Sequence, residues 1–94
     1  MRGIPKAKKQ DFVLKPNPIS KGNLSIKMIG FEQGQYRVEI YNINGVLQMA
    51  TDCEVIGGKS ECKLYMPVDS LTSGMYFVRL HTENMIIEKK FIKK

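Results

Sequence analysis

The sequence predicts an all-β chain folded as a two-layer antiparallel sandwich. Three observations carry that reading. Short runs alternate apolar and polar side chains, turn residues interrupt them about every 8–12 positions, and no stretch shows the 3.6-residue apolar period of a helix. At 94 residues the chain makes one domain, small but able to bury a core without a metal.

Residues 1–11 lack apolar periodicity and read as a linker or disordered lead-in. Phe12-Val13-Leu14 begins order, and Lys15-Pro16-Asn17-Pro18 breaks it, because two prolines around an Asn forbid regular pairing and fix an extended, kinked path. From Asn23 to Ile29, Leu24, Ile26 and Met28 alternate with Ser25 and Lys27, a strand with one wet face; residues 30–34 are a loop. Gln35 to Asn42 alternates Tyr36, Val38 and Ile40 against Arg37, Glu39 and Tyr41. Asn44-Gly45 then predicts a type I′ hairpin turn, with Val46 to Ala50 returning and Leu47 and Met49 facing inward.

Cys53 to Ile56, Gly57-Gly58 and Lys59 to Met66 read as a second hairpin. With the glycines as its two turn residues, Cys53 faces Cys62 in a non-hydrogen-bonded pair whose Cα atoms lie about 4.5–5.5 Å apart, within disulfide range. A Cys53–Cys62 disulfide is therefore expected, worth roughly 2–3 kcal/mol. Glu54 opposite Glu61 is an objection to that register.

Val68 to Leu80 is the stretch around which the chain is organised. Ser73-Gly74 closes a polar corner, and Tyr76, Val78 and Leu80 then alternate with Phe77 and Arg79. A Leu followed by Gly two residues before a strand-opening Tyr is the layout of a tyrosine corner, in which the phenol packs inside and its hydroxyl bonds main chain a few residues upstream. Glu83-Asn84 turns the chain into the last strand, Met85 to Ile92. There the inward face could carry Ile87 and Phe91 or else Ile86 and Ile92, and the lysines place it at a sheet edge. About seven strands at this spacing argue an all-β sandwich, and the corner by itself does not decide which kind.

The net charge of +6 has a simple distribution. Arg2, Lys6, Lys8 and Lys9 open the chain and Lys89, Lys90, Lys93 and Lys94 close it; without them acidic side chains outnumber basic ones. Solvated ends, not a basic binding face, explain the excess, which argues against a nucleic-acid partner. No apolar run approaches the ~18 residues of a membrane span. Met1-Arg2-Gly3 leads into lysines and not a signal-peptide core, so an exported form would carry its export signal on a longer precursor. His81 has no ligand-spaced neighbour, two cysteines nine apart are no zinc pattern, and the carboxylates stand singly. No catalytic residue, metal or cofactor is expected.

Three pieces of the chain carry a resemblance. Leu14-Lys15-Pro16-Asn17-Pro18 is similar to an opening Pro-Asn-Pro motif, and Tyr41 to Leu47 to a central hairpin. Leu71 to Leu80, then Lys89-Lys90-Phe91-Ile92 before Lys93 and Lys94, is similar to a Gly-x-Tyr motif and a basic terminal motif. In this order and spacing the set, covering residues 12–94, resembles the type A C-terminal sorting domain of the type IX secretion system of Bacteroidota. Asn84-Met85 departs from the Gly usual in the last hairpin, and a cysteine pair is no hallmark of that family.

The resemblance implies an immunoglobulin-like antiparallel sandwich of about seven strands, and a non-catalytic secretion signal at the end of a cargo protein, itself the N-terminal part of the same precursor. Such a domain crosses the periplasm, is recognised by the outer-membrane translocon and its shuttle protein, and is removed at the cell surface by a sortase-like peptidase. No direct membrane insertion is implied. The recognition residues it suggests are Pro16, Asn17, Pro18, Gly74, Tyr76, Lys89, Lys90, Phe91, Lys93 and Lys94, with the four lysines exposed. The alternative is an immunoglobulin- or fibronectin-like accessory module binding glycan or protein, for which Tyr41, Tyr65 and Phe77 would be the aromatic candidates.

Overall fold

Alternation in the strands decides where the core lies. Leu24, Ile26 and Met28 from one strand, Val38 and Ile40 from another, and Tyr76, Val78 and Leu80 from a third are all buried, as the period of two requires. The computed structural model describes residues 10–56, 61–82 and 85–94, with main chain alone at 61 and 62. It contains seven strands: β1 (Asp11–Lys15), β2 (Asn23–Ile29), β3 (Gly34–Asn42), β4 (Leu47–Val55), β5 (Glu61–Pro67), β6 (Gly74–His81) and β7 (Ile86–Lys93). They form a three-stranded sheet in the order β1-β2-β5 and a four-stranded sheet in the order β4-β3-β6-β7. Every named pairing is antiparallel, and the two inner faces enclose one core, with Phe12, Ile19 and Phe91 among its fully buried side chains. This is the two-layer sandwich that the strand spacing predicted, with the immunoglobulin-like arrangement that the family resemblance implied.

Two turns differ from their sequence reading. At Asn44-Gly45 only the glycine has positive φ (79°), and the loop holds three residues, with Gly45 N–H donating to Asn42 O and Asn42 N–H to Val46 O, both at 3.0 Å. That is a G1-bulge hairpin and not type I′. The Asn42 side chain stabilises it by accepting from the Asn44 and Val46 N–H groups. A register shift after Ile40 sets Leu47 opposite the outward-facing Tyr41, so Leu47 is exposed while Met49 packs on the core.

The second correction is larger. β4 and β5 do not pair: β4 lies against β3, and β5 lies against β2 in the other sheet. The segment between them is a crossover from one layer to the other, and Gly57 and Gly58 fall outside the described residues. Cys53 is buried opposite Tyr36, whereas position 62 stands opposite Met28. The hairpin register behind the Cys53–Cys62 disulfide is thus overturned, and the structure supports no such bond. The Cys62 side chain lies outside the described residues.

Candidate recognition surface

The corner is built as the sequence predicts. Gly74 holds φ = 151°, a conformation side-chain-bearing residues resist, and so reverses the chain into β6. Tyr76 is buried, and its hydroxyl donates to Thr72 O at 2.7 Å. Its ring stacks on Phe91 of the neighbouring strand, 5.5 Å between centroids and 20° between planes. Leu71 is buried beside the corner, and its carbonyl accepts from Lys93 Nζ at 3.0 Å.

β7 is an edge strand, and an edge strand presents unpaired main-chain groups. The Pro-Asn-Pro segment covers half of them. Asn17 places its side-chain amide along the edge as a strand would: Oδ1 accepts from Ile92 N–H at 3.0 Å and Nδ2 donates to Lys90 O at 3.3 Å. Ile19 continues the pattern in a parallel bridge, its N–H donating to Ile92 O and its carbonyl accepting from Lys94 N–H. Both X-Pro bonds, Lys15-Pro16 and Asn17-Pro18, are cis. Proline supplies no N–H, so Pro16 and Pro18 leave Asn17 and Ile19 as the segment's bonding residues.

The four terminal lysines have different fates. Lys90 and Lys94 are exposed. Lys89 pairs with Asp11 of β1 at 3.3 Å and lies 5.8 Å from the Phe12 ring centroid. Lys93 corrects the expectation of exposure: it sits on the inward phase of β7 with Ile87 and Phe91, only 7% exposed, its ammonium held by the Leu71 carbonyl. Such a buried charge is tolerated because a main-chain acceptor replaces part of its water. Lys15, which opens the Pro-Asn-Pro motif but was not named for recognition, and Lys21 are exposed on the segments leading into and out of that turn. All ten sequence-named recognition residues therefore converge on β7 and the end of the sandwich where it finishes. Cys53, near the other end of β4, does not join them.

The outer face of the four-stranded sheet holds a polar network that sequence spacing did not reveal. Glu39 accepts from Arg37 Nε at 2.9 Å, from Tyr41 at 2.7 Å and contacts His81 Nε2 at 2.5 Å. Hydrogen bonds from Arg37 and then Tyr41 outweigh the cost of burial and pull the Glu39 carboxyl down to about 2; the same bond pushes the Tyr41 phenol up. Arg79 lies 4.5 Å over the Tyr41 ring and pairs with Glu88 on β7 at 2.6 Å. The alternation along β3 already puts Arg37, Glu39 and Tyr41 on one face; the β3–β6 register, which sets Arg37 beside His81 and Glu39 beside Arg79, adds the rest.

Comparison with known proteins supplies the family. The profile described as "Secretion system C-terminal sorting domain" matches residues 14–94, from the start of the Pro-Asn-Pro motif to Lys94. The chain belongs to that family. It is a sorting domain of type IX secretion, the resemblance its motifs carried, and the family marks a protein exported to the cell surface or beyond. No curated protein matches the chain. Among solved structures the sorting domain is similar to one titled "crystal structure of CHIR-AB1", at 17% identity and a TM-score of 0.47, covering 92% of this chain and 90% of that one.

Proposed function

We propose that the signal this sorting domain displays is a folded shape: the end of the sandwich where β7 finishes, strapped by Asn17 and Ile19 and fringed by Lys90 and Lys94. The observation that carries it is the pair of hydrogen bonds from Asn17 to β7, which joins the first motif of the chain to the last. On this reading the outer-membrane translocon and its shuttle protein bind the assembled end, and a sortase-like peptidase cuts in the linker before Phe12. The cargo lies N-terminal to that cut, and the domain serves no catalytic step.

Supporting the reading, Gly74, Tyr76 and Phe91 form the scaffold behind this surface, while the exposed lysines stand on it. The glycan-binding alternative needs an exposed aromatic platform. Tyr41 and Phe77 are cross-strand neighbours, but Tyr65 is on the other sheet, and the Tyr41 hydroxyl is engaged by Glu39 beneath Arg79.

The test is a reporter fused ahead of residues 12–94 in a host that has the secretion system. Deleting β7 would remove Phe91 from the core as well as the signal, so the informative variant is Lys90→Glu with Lys94→Glu. Both sites are exposed, so the thermal midpoint should hold while surface display falls. Display at the wild-type level would remove the basic fringe from the signal.

A further inference from the structure

Among the described residues, the edge of β7 is closed over only half its length. Asn17 and Ile19 engage Lys90 O, Ile92 N–H, Ile92 O and Lys94 N–H. These all belong to even-numbered residues, and in an antiparallel pair successive residues point their main-chain groups to alternate sides. The N–H and C=O of Glu88, the N–H of Lys90 and the main-chain groups of Ile86 therefore face the same open edge, beyond the reach of the strap. Beside them runs a groove of about 520 Å³ between the edges of the two sheets, lined by Val13 and Leu14 of β1, by Phe77, and by Glu88, Lys89 and Lys90.

We propose that this open half, Ile86 to Lys90, is a strand-addition site for an extended segment of another protein that alternates aliphatic and acidic side chains. Three features select that occupant. Among the described residues nothing meets these groups, and they repeat with the spacing of a strand, so a backbone satisfies them better than a side chain does. Residues 17–19 already lie on the same edge in that manner, so an added strand continues an existing line. The groove has apolar walls in Val13, Leu14 and Phe77, and its one acid, Glu88, is held by Arg79, which leaves Lys90 to face an incoming carboxylate. The lysines also disfavour pairing with the equivalent strand of a second copy. This site does not depend on the sorting role.

The test uses the full chain and an acetylated, amidated nine-residue peptide alternating valine and aspartate. Amide exchange followed by NMR should show binding that slows exchange at Glu88 and Lys90 but leaves Lys89, whose N–H faces β6, unchanged. A copy of the peptide N-methylated at alternate residues should bind roughly tenfold to a hundredfold more weakly, since two or more hydrogen bonds are lost. Glu88→Pro removes an outward N–H at a position where an edge tolerates proline, and should abolish binding; Glu88→Ala, which keeps the N–H, should still bind. The proposal is overturned if the N-methylated peptide binds as well as its parent, or if Glu88→Ala is as impaired as Glu88→Pro. It is equally overturned if millimolar peptide gives no protection at the two amides, or if the chain alone dimerises with them protected. The N-methylated arm decides the matter even if the proline variant fails to fold.

Discussion

The two ends of the four-stranded sheet are built on the same device and finished differently. Phe31-x-x-Gly34-x-Tyr36-x-Val38-x-Ile40 and Leu71-x-x-Gly74-x-Tyr76-x-Val78-x-Leu80 repeat each other forty positions apart (34 to 74, 36 to 76). The glycines hold φ of 153° and 151°, and each tyrosine hydroxyl donates at 2.7 Å to the carbonyl four residues upstream, Glu32 or Thr72. The β3–β6 register exchanges the two copies about a local two-fold axis through the Glu39–Arg79 pair. Tyr36, however, is half-buried and meets Phe31 edge-on, at 69° between planes, whereas Tyr76 is buried, stacks on Phe91 and has the strapped β7 beyond it. The local device builds the fold at both ends. What distinguishes the Gly74 end is the second layer of contacts, from Phe91, Lys93, Asn17 and Ile19.

The sharpest way to break the comparison is to remove that layer from beneath. Phe91 is fully buried, and Phe91→Ala should cost about 3–5 kcal/mol. Phe31→Ala at the other end, where the ring meets a half-buried tyrosine, should cost less. For a domain of this size each 1 kcal/mol is a shift of about 4–8 °C in thermal midpoint. Equal shifts for the two variants would mean that the ends do not differ in packing.

The glycines should show the opposite, a likeness. An added Cβ meets nothing within 4 Å at either position, so packing does not decide the outcome. Backbone strain does, because both φ values lie in a region that side-chain-bearing residues avoid, at a cost of order 1–3 kcal/mol. Gly34→Ala and Gly74→Ala should therefore lower the urea midpoint by similar amounts. A markedly larger loss at Gly74 would show that the strap adds constraint to that corner.

Much of this was legible in the chain, for reasons that also explain what was not. The period of two gave the buried faces of β2, β3 and β6, and the lysines placed β7 at an edge, because both are local properties of a strand. The crossover after β4 was not legible, since Gly57-Gly58 between two apolar runs serves a hairpin and an inter-sheet connection equally well; the choice is made by distant partners, Tyr36 for Cys53 and Met28 for position 62. Pro16-Asn17-Pro18 announced a break in pairing but not that the Asn17 amide completes the edge of a strand some seventy-five residues away. Lys93 was misplaced because a lysine reads as solvent-exposed until a carbonyl, here that of Leu71, is found at the depth it occupies. The 34/74 repeat was present in the sequence, and comparing the chain with itself discloses it.

Removing single hydroxyls sharpens the comparison at smaller scale. Tyr76→Phe loses a bond to Thr72 O in a buried setting and should cost about 1 kcal/mol or slightly more. Tyr36→Phe loses the same bond where water can replace it, and should cost a fraction of that. Thermal midpoints of the two variants and of their combination measure this directly, and the two losses should add because the corners lie at opposite ends of the sheet. An unchanged midpoint for Tyr76→Phe would argue that the corner hydroxyl is incidental to the fold.

The gentlest perturbation acts on the axis between the two copies. The Glu39 carboxyl titrates at about 2 in the folded chain against an ordinary 4.5, because Arg37 and Tyr41 donate to its charged form. A depressed carboxylate contributes stability that is fully present above the unfolded value and is lost as pH falls through the folded one. Between pH 4.5 and about 2 the wild-type chain should therefore lose stability faster than Glu39→Gln, whose amide does not titrate. Above pH 5 wild type should be the more stable, since glutamine cannot offer Arg37 a charged acceptor, and that advantage should shrink as pH falls. Urea midpoints at several pH values for the two chains trace the difference. Parallel curves over that range would show that the Glu39 carboxyl binds its proton equally in the folded and unfolded chains, so that Arg37 and Tyr41 add no net stability through its charge.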